Sequence, residues 1–486
     1  MSRVRGSIAE ASFADALAVI AGNPPAPPRV GIPYDFVVAA GSPPPPPAAQ
    51  GGASLDRSPL ARACAAVRSG AATATSLVDE ALARVEERNE ALTGLVEVTA
   101  AAARAEAATA DDEALAGHFR GPLHGIPVTV KDVIDVAGVP TRCGSLAYHD
   151  VPTADAVGVA RLRAAGAIVI GKAATHEFAL GVTSPQSRNP RDPTRIPGGS
   201  SGGSAVAVAT GMGLASLGTD TRASIRVPAA LSGTVGFKPT YGRIPTDGVV
   251  SLSWTMDHVA PMASTVLDAA MVMEVLLADG RPLASVRASV AGLRIGVVRA
   301  GFADAPVEVA DAVDTAIAGL GAAGAALGDA SAPDEADLEL ANAAGLVVSR
   351  VEAAALHRSM GLDLDLYWEE VGEQLRVAMG VAGVDYVDAQ RLRGLLARRL
   401  LAVFEHHDVL VMPTSPVVAP PVDDFAKYLM LLSRNAIPWS FVGFPAISVP
   451  CGLAGGLPVG LQVVAPPDRE DVLVAVGRMV ESGPTS

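Results

Sequence analysis

The chain has 486 residues, half of them hydrophobic, and a formal net charge of −14 at pH 7. This length allows one large or two medium domains, because a single hydrophobic core stops growing at roughly 250–300 residues. The acidic balance argues against nucleic acid as a partner, since nucleic-acid-binding proteins normally present a clustered basic surface. No apolar run reaches the roughly 20 residues that span a bilayer, so no membrane partner is expected.

The N-terminus and the cysteines indicate the cellular compartment. Glu10 and Asp15 lie where a secretory signal has an uncharged apolar stretch, so this segment is predicted to be a short helix. Cys64, Cys143 and Cys451 are widely spaced and form no CxxC pair, which predicts neither a disulfide framework nor a zinc site. Together these features predict a cytoplasmic protein.

Two proline clusters, at residues 24–28 and 43–47, can form neither a helix nor a central strand. We therefore divide the chain into an N-terminal appendage at residues 1–50, with a helix and a proline-rich tract, and one large domain at residues 51–486. The tract is interpreted as a semi-rigid spacer. A dimer arm or docking arm is the functional alternative, and a homodimer is therefore one expectation.

Helix and strand patterns alternate from residue 54 onward, which favours an α/β sheet. Ser76 has the character of a helix-start residue, because apolar residues recur behind it at helical spacing. Alternating apolar residues over 126–130 predict a strand that ends at Lys131. Residues 157–165 are predicted to form a helix that stops before a glycine.

The second half of the large domain combines helical and strand patterns. Residues 283–407 show mostly helical periodicity, and residues 408–412 are predicted to form a buried strand. Two further strands, at 446–450 and 459–465, are expected to pair around a glycine-rich turn. The sheet is therefore expected to be mixed.

The glycine- and serine-rich segment at residues 198–205 is the most unusual stretch of the sequence. A loop that caps a helix would explain it without any function. A phosphate cradle is disfavoured, because the Lys-[Ser/Thr] pair of a P-loop is missing. A nucleophile elbow centred on Ser200 would need Asp and His partners, and this motif alone leaves that open, since later histidines stand at His258, His357, His406 and His407.

A second serine-centred segment, residues 218–228, carries Ser224 and decides between these alternatives. Together the two segments resemble the serine-bearing region of the amidase signature family. Residues 121–132, which contain Lys131, are similar to the lysine segment of that family. Other matching segments follow in the family's order, at residues 236–243, 257–262 and 443–450. The resemblance extends from about residue 55 to residue 480.

The resemblance implies an amide hydrolase with a Ser-cisSer-Lys triad. Ser224 would attack the carbonyl and form an acyl-enzyme, while Ser200, in a cis peptide, would relay its proton to neutral Lys131. The implied substrate is a small amide, urea-type compound or carbamate, which would release ammonia or an amine without metal or cofactor. The implied fold is α/β, a large twisted mixed β-sheet covered by helices on both faces.

The resemblance also assigns roles around Ser224. The oxyanion hole is expected from the backbone N–H groups of Thr221, Arg222, Ala223 and Ser224. The loop would be held in shape by Ser201, Asp220 and Arg226. The common family pattern has Gly-Gly where this chain has Arg222-Ala223, and a positive φ would be costly for either residue.

Lys131 must be neutral to act as a base, whereas a free lysine titrates near ~10.4. Burial or a neighbouring positive charge should therefore lower the pKa of Lys131, and activity should rise toward alkaline pH.

Two alternatives from other functional classes stay open. An amidotransferase A-type subunit would supply ammonia within a complex, but Val227 stands where such subunits typically have Gln. A non-catalytic binding protein on the same scaffold is conceivable because of Arg222-Ala223. Trp254, Met256 and Tyr367 are candidates for lining an apolar substrate pocket.

Overall fold

The computed structural model describes residues 2–23 and 58–483, with side chains from residue 12 onward. The proline clusters and the domain boundary expected near residue 50 lie outside the described residues, so that boundary stays a prediction.

The helices are α1 (Ser2–Gly22), α2 (Pro59–Ser69), α3 (Ala74–Leu92), α4 (Ala100–Leu115), α5 (Val157–Ala164), α6 (Gly202–Thr210), α7 (Arg226–Ser232), α8 (Val266–Leu277), α9 (Val307–Ala322), α10 (Glu335–Met360), α11 (Glu369–Met379), α12 (Gly383–Val403), α13 (Leu429–Ser433), α14 (Ile437–Phe441) and α15 (Glu470–Ser482). The strands are β1 (Leu95–Val98), β2 (Pro127–Lys131), β3 (Ile168–Ala173), β4 (Ala215–Asp220), β5 (Val235–Lys238), β6 (His258–Ala263), β7 (Arg294–Val297), β8 (Ala326–Asp329), β9 (Val409–Pro413), β10 (Ala446–Ala454) and β11 (Leu457–Val464).

The strands of the described residues form one mixed sheet in the order β1-β3-β2-β4-β6-β5-β10-β11-β9-β7-β8. Strand β2 is parallel to both of its neighbours, β3 and β4, whereas β10 and β11 form an antiparallel pair. Successive side chains of a strand point to opposite faces. Because every residue of β2, β3, β4, β6 and β11 is buried, both faces of the sheet are covered there. The mixed α/β sheet predicted from the sequence is confirmed.

The predicted N-terminal helix is present as α1, which packs against α10 and α11. Phe13, Ala16 and Ile20 are buried there, at helical spacing. The N-terminal helix therefore contributes to the hydrophobic core of the large domain.

The start of α3 corrects one prediction. The helix is capped by Thr73 and not by Ser76, which lies one turn inside it. The Thr73 hydroxyl accepts a hydrogen bond from the Ser76 N–H at 3.0 Å, and the Ser76 hydroxyl accepts one from the Thr73 N–H at 3.1 Å. Both residues are good cap formers, so the sequence placed the boundary one turn too late.

Two strands were missed in the region predicted to be mostly helical. Strands β7 and β8 are parallel to each other and lie at one end of the sheet. Each has four residues, and all four residues of β8 are exposed, so no alternation of apolar and polar side chains marks it.

Candidate active site

Two adjacent parallel strands bring the predicted lysine and serine segments to one edge of the sheet. Strands β2 and β4 pair in register with Val130 opposite Leu217. Strand β2 ends at Lys131 and β4 ends at Asp220. Because the carboxyl ends of parallel strands meet at the same edge, Lys131 lies beside the chain that leads into Ser224.

The Lys131 amine is enclosed between two hydroxyl groups. Its Nζ lies 2.7 Å from the Ser200 Oγ and 2.8 Å from the Thr219 Oγ1, and the side chain is fully buried. Burial lowers the pKa of Lys131 to about 7, although the nearby Asp220 and Asp257 carboxylates act in the opposite direction. A large fraction of the amine is therefore neutral near neutral pH, as a base requires.

The loop that carries Ser200 is held by contacts with residues 176–184. The Gly199–Ser200 peptide bond is cis, as the resemblance implies. The Ser200 carbonyl accepts hydrogen bonds from the His176 N–H at 3.2 Å and the Ser184 hydroxyl at 3.0 Å. A Cβ on residue 199 would lie 2.0 Å from the Thr183 carbonyl oxygen, so only glycine fits there.

Ser224 lies directly beside the Ser200 loop. Its carbonyl accepts a hydrogen bond from the Ser201 N–H at 3.2 Å, and the residue is 5 % exposed. The Ser201 hydroxyl donates in turn to the Thr219 carbonyl at 3.2 Å. The Ser224 hydroxyl itself makes no hydrogen bond to any described residue; catalytic hydrogen bonds often tighten only when substrate binds.

The loop from Thr221 to Ser224 accommodates the unusual Arg222-Ala223 pair without backbone strain. None of these residues is among the non-glycine residues of the described chain that have positive φ. The Thr221 hydroxyl donates to the Asp257 carboxylate at 2.6 Å, which holds the start of the loop. The costly positive φ considered for Arg222 or Ala223 therefore does not arise.

A buried ion pair closes the other end of this loop. Arg226 and Asp220 are both fully buried, and the Arg226 Nε and Nη2 lie 3.0 and 3.1 Å from the two Asp220 carboxylate oxygens. Burial by itself would raise the pKa of Asp220, but the Arg226 guanidinium outweighs it and holds that pKa below its usual range. The pair spans the loop that carries Ser224 and fixes its two ends relative to each other.

Sequence reasoning assigned no role to three polar residues of the site, namely Thr219, Ser440 and Gln462. The Ser440 hydroxyl donates to Asp220 at 2.8 Å and accepts from Arg226 at 2.6 Å. Gln462 accepts from Arg226 at 2.7 Å. Ser440 stands where an asparagine is often seen in the family, and its hydroxyl completes the buried network.

The three candidates for lining a substrate pocket do not form one apolar cluster. Met256 and Tyr367 belong to different apolar clusters, and Trp254 is half exposed. Cys143 is fully buried, and burial raises the pKa of its thiol, so it is not a reactive nucleophile. Within residues 12–23 and 58–483, no three His, Cys, Asp or Glu side chains are grouped to hold a metal ion.

The fold and the site combine a mixed α/β architecture with serine and lysine side chains at one edge of the sheet. The family model described as Amidase matches residues 76–474. In Chloroflexus aurantiacus, the A-type subunit of the glutamyl-tRNA(Gln) amidotransferase is 37 % identical over 461 residues, covering 85 % of this chain and 94 % of that protein. An amidase of Pseudomonas putida is 37 % identical over 447 residues, with coverage of 87 % and 95 %.

Solved structures lead to the same family. A crystal structure of an amidase superposes with a TM-score of 0.81 at 35 % identity, covering 87 % of this chain and 99 % of that one. The chain therefore belongs to the amidase signature family. It is an amidase, a hydrolase of carbon–nitrogen bonds in small amide-type substrates. No helix in the described part of the chain has the length and apolar character needed to cross a membrane.

Proposed function

We propose that this amidase cleaves its substrate through Ser224, Ser200 and Lys131. The observation that carries this proposal is the 2.7 Å contact between the Lys131 Nζ and the Ser200 Oγ. Burial keeps a large fraction of that amine neutral, which gives the serine hydroxyls an acceptor for a proton.

In the first half of the reaction, the Ser224 Oγ attacks the substrate carbonyl carbon. The proton of Ser224 passes to the Ser200 Oγ, and the proton of Ser200 passes to the Lys131 amine. The negative charge on the carbonyl oxygen is stabilised by the backbone N–H groups of residues 221–224. Such a donor is worth about 3–4 kcal/mol in comparable sites.

In the second half, the C–N bond breaks and the relay runs in reverse. The Lys131 ammonium returns a proton through Ser200 to the departing nitrogen, which leaves as ammonia or an amine. Water then attacks the acyl-enzyme, and its proton follows the same path to Lys131. The product acid leaves when Ser224 recovers its proton.

A panel of amides, urea-type compounds, carbamates and esters tests this function. We expect turnover of at least one C–N substrate by the wild type and none above background by Ser224→Ala. Ser216→Ala is the matched control, because Ser216 is buried on β4 and its hydroxyl has no partner among the described residues. Equal turnover by Ser224→Ala and the wild type would refute the assignment.

The second candidate function is that of an amidotransferase A-type subunit, which would pass ammonia to a partner. Its support is the 37 % identity to the amidotransferase protein of Chloroflexus aurantiacus. Val227, where such subunits typically have Gln, favours the independent hydrolase. Hydrolysis by the purified chain alone supports the hydrolase, whereas activity that appears only in a larger complex supports the amidotransferase.

We propose that the working enzyme is cytoplasmic and has no nucleic acid as a partner; a homodimer is the assembly to be tested. The absence of a disulfide pattern and the acidic charge support the compartment and the lack of nucleic acid. Sedimentation of the purified chain tests the dimer, because a single chain's mass would contradict it.

A further inference from the structure

Two arginines, one in the loop that carries Ser224 and one beside it, are buried without a carboxylate partner. Arg222 is 9 % exposed and Arg350, on α10, is 6 % exposed. Neither guanidinium forms an ion pair with any described residue. By contrast, the fully buried Arg226 has the Asp220 carboxylate 3.0 Å from its Nε. A charge buried without a counter-charge is costly, so these two arginines require an explanation.

Arg222 extends from the loop two residues before Ser224 to the side of α10. Its Nη2 makes one long hydrogen bond, 3.5 Å to the Asn342 carbonyl on that helix. Its Nε is buried and has no acceptor among the described residues. The planar donor edge of this guanidinium is therefore largely unused.

Arg350 lies on α10 eight positions beyond Asn342, which is about 12 Å along the helix at 1.5 Å per residue. Its Nε donates to the Gln374 side chain at 2.7 Å, and its Nη2 lies 3.4 Å from the Leu180 carbonyl. Leu180 belongs to the segment that leads to Ser184, whose hydroxyl holds the Ser200 carbonyl. Both guanidiniums therefore lie between α10 and the two loops that carry the catalytic serines.

The two positive charges also act on each other. Burial, and then the Arg222 charge, lower the pKa of Arg350 to about 9. Burial lowers the pKa of Arg222 to about 10. Both groups remain cationic near neutral pH, so an anion bound between them would relieve their repulsion and their lack of a counter-charge.

We propose that Arg222 and Arg350 form a carboxylate subsite, so that the substrate is an amide carrying a carboxylate near the scissile bond, such as the monoamide of a short dicarboxylic acid. The planar fork of a guanidinium matches the two oxygens of a carboxylate, and such paired hydrogen bonds are strong. The proposal rests on the assignment of Ser224 as nucleophile, because that assignment makes the neighbouring space the substrate site.

Binding to the full-length Ser224→Ala variant tests the subsite without turnover. Malonamate, succinamate and glutaramate are titrated by calorimetry, each against an uncharged amide of matched length, such as butyramide for succinamate. At least one anion should bind about 30-fold more tightly than its neutral counterpart, as expected for a buried charge pair. Equal affinity within every pair, or no detectable binding by any of the three anions, overturns the proposal.

Substitution of Arg350 assigns the preference to the guanidinium. In the Ser224→Ala background, Arg350→Met should remove the anion preference, whereas Arg350→Lys, which keeps the charge, should retain part of it. Arg299→Met is the matched control, since Arg299 is exposed and pairs with Asp314 and Asp329. If Arg350→Met does not fold, Arg350→Lys decides, because unchanged selectivity in that variant overturns the role of the guanidinium fork.

The outcomes separate this inference from the proposed function. If the wild type hydrolyses neutral and anionic amides equally well, the subsite is refuted while the Ser224 mechanism stands. If Ser224→Ala binds the anions selectively but the wild type hydrolyses none of the amides, the catalytic assignment is refuted and the subsite remains.

Discussion

The Lys131 amine lies 2.7 Å from the Ser200 hydroxyl oxygen and 2.8 Å from the Thr219 hydroxyl oxygen, inside the core at the carboxyl end of β2. A neutral amine can accept the Ser200 proton with its lone pair while it donates a hydrogen bond to Thr219. The Thr219 hydroxyl thus orients the lone pair toward Ser200. In the proposed mechanism, this arrangement makes the whole reaction depend on the protonation state of one buried lysine.

The pH dependence of kcat/KM should follow the titration of Lys131. Burial lowers its pKa to about 7, and only the neutral form accepts a proton, so kcat/KM should rise through pH 7 and level off about two units higher. A pH–rate profile measured on a substrate whose chemical step limits the rate checks this. A profile that is flat over about pH 6 to 9 would contradict a lysine base.

Asp257 provides the control for that profile. Burial raises the pKa of its carboxyl to about 6, so it titrates on the same rising limb. If Lys131 is the base, Asp257→Asn should keep a rising limb, displaced to lower pH because the carboxylate that raises the Lys131 pKa is gone, even if its overall rate is lower. Loss of that limb in Asp257→Asn would assign the titration to the carboxylate instead.

Thr219→Val should lower kcat by about tenfold and leave KM nearly unchanged. The substitution removes one hydrogen bond to the Lys131 amine, worth roughly 1–1.5 kcal/mol, without removing a group that contacts substrate. Thr219→Ser keeps the hydroxyl and should restore most of kcat. Steady-state kinetics of both variants decide, since an effect confined to KM would be inconsistent with a role in orienting the base.

Asp220→Asn should destabilise the fold by about 3–5 kcal/mol, because it leaves the buried Arg226 charge without its counter-charge. Urea unfolding measures the change in the free energy of unfolding. Asp408→Asn, which breaks a partly exposed pair with Arg294, is the control and should cost about 1 kcal/mol or less. Similar losses in both variants would argue against a special role for the buried pair.

The same pair has a consequence for acid stability. The pKa of Asp220 is held below its usual range, so its stabilising effect is present above the ordinary aspartate pKa and is lost as the pH falls below it. Wild-type stability should therefore decline below about pH 4, while Asp220→Asn should lack this part of the decline.

Gly199→Ala should abolish activity and lower the melting temperature. A Cβ there would lie 2.0 Å from the Thr183 carbonyl, and the backbone would have to move at the residue before Ser200. Gly319→Ala on α9 is the control, because its Cβ meets nothing within 4 Å and alanine favours a helix by about 0.5–1 kcal/mol. Circular dichroism melts and activity of both variants test this; an active, stable Gly199→Ala enzyme would contradict it.

The parts of the fold that the sequence predicted are those with a strong local pattern. Strand β2 alternates apolar residues up to Lys131, and β10 and β11 flank a glycine-rich turn, so each was found within a few residues. Strand β8 has four exposed residues and no apolar alternation, so its pairing with β7 became visible only in the assembled sheet.

The residues of the site also fall into those that the sequence predicted and those that only the structure reveals. Ordered motifs predicted the serine and lysine residues, and the structure brings Lys131 to Ser200 across 69 positions of sequence. The contact of Arg226 with Gln462 joins residues 236 positions apart and depends on the order of strands in the sheet. Arg350 was missed because helical periodicity does not reveal whether a buried arginine will find a counter-charge.

Reaction with a fluorophosphonate, followed by peptide mass mapping, tests the role of Ser224 most directly. We expect a single label on Ser224 in the wild type, slower labelling of the same residue in Ser200→Ala and Lys131→Met, and none in Ser224→Ala. The relay explains the slower rates, because both variants lose the path that removes the Ser224 proton. A label on Ser200 in the active wild-type enzyme, or full-rate labelling of Lys131→Met, would contradict the proposed triad.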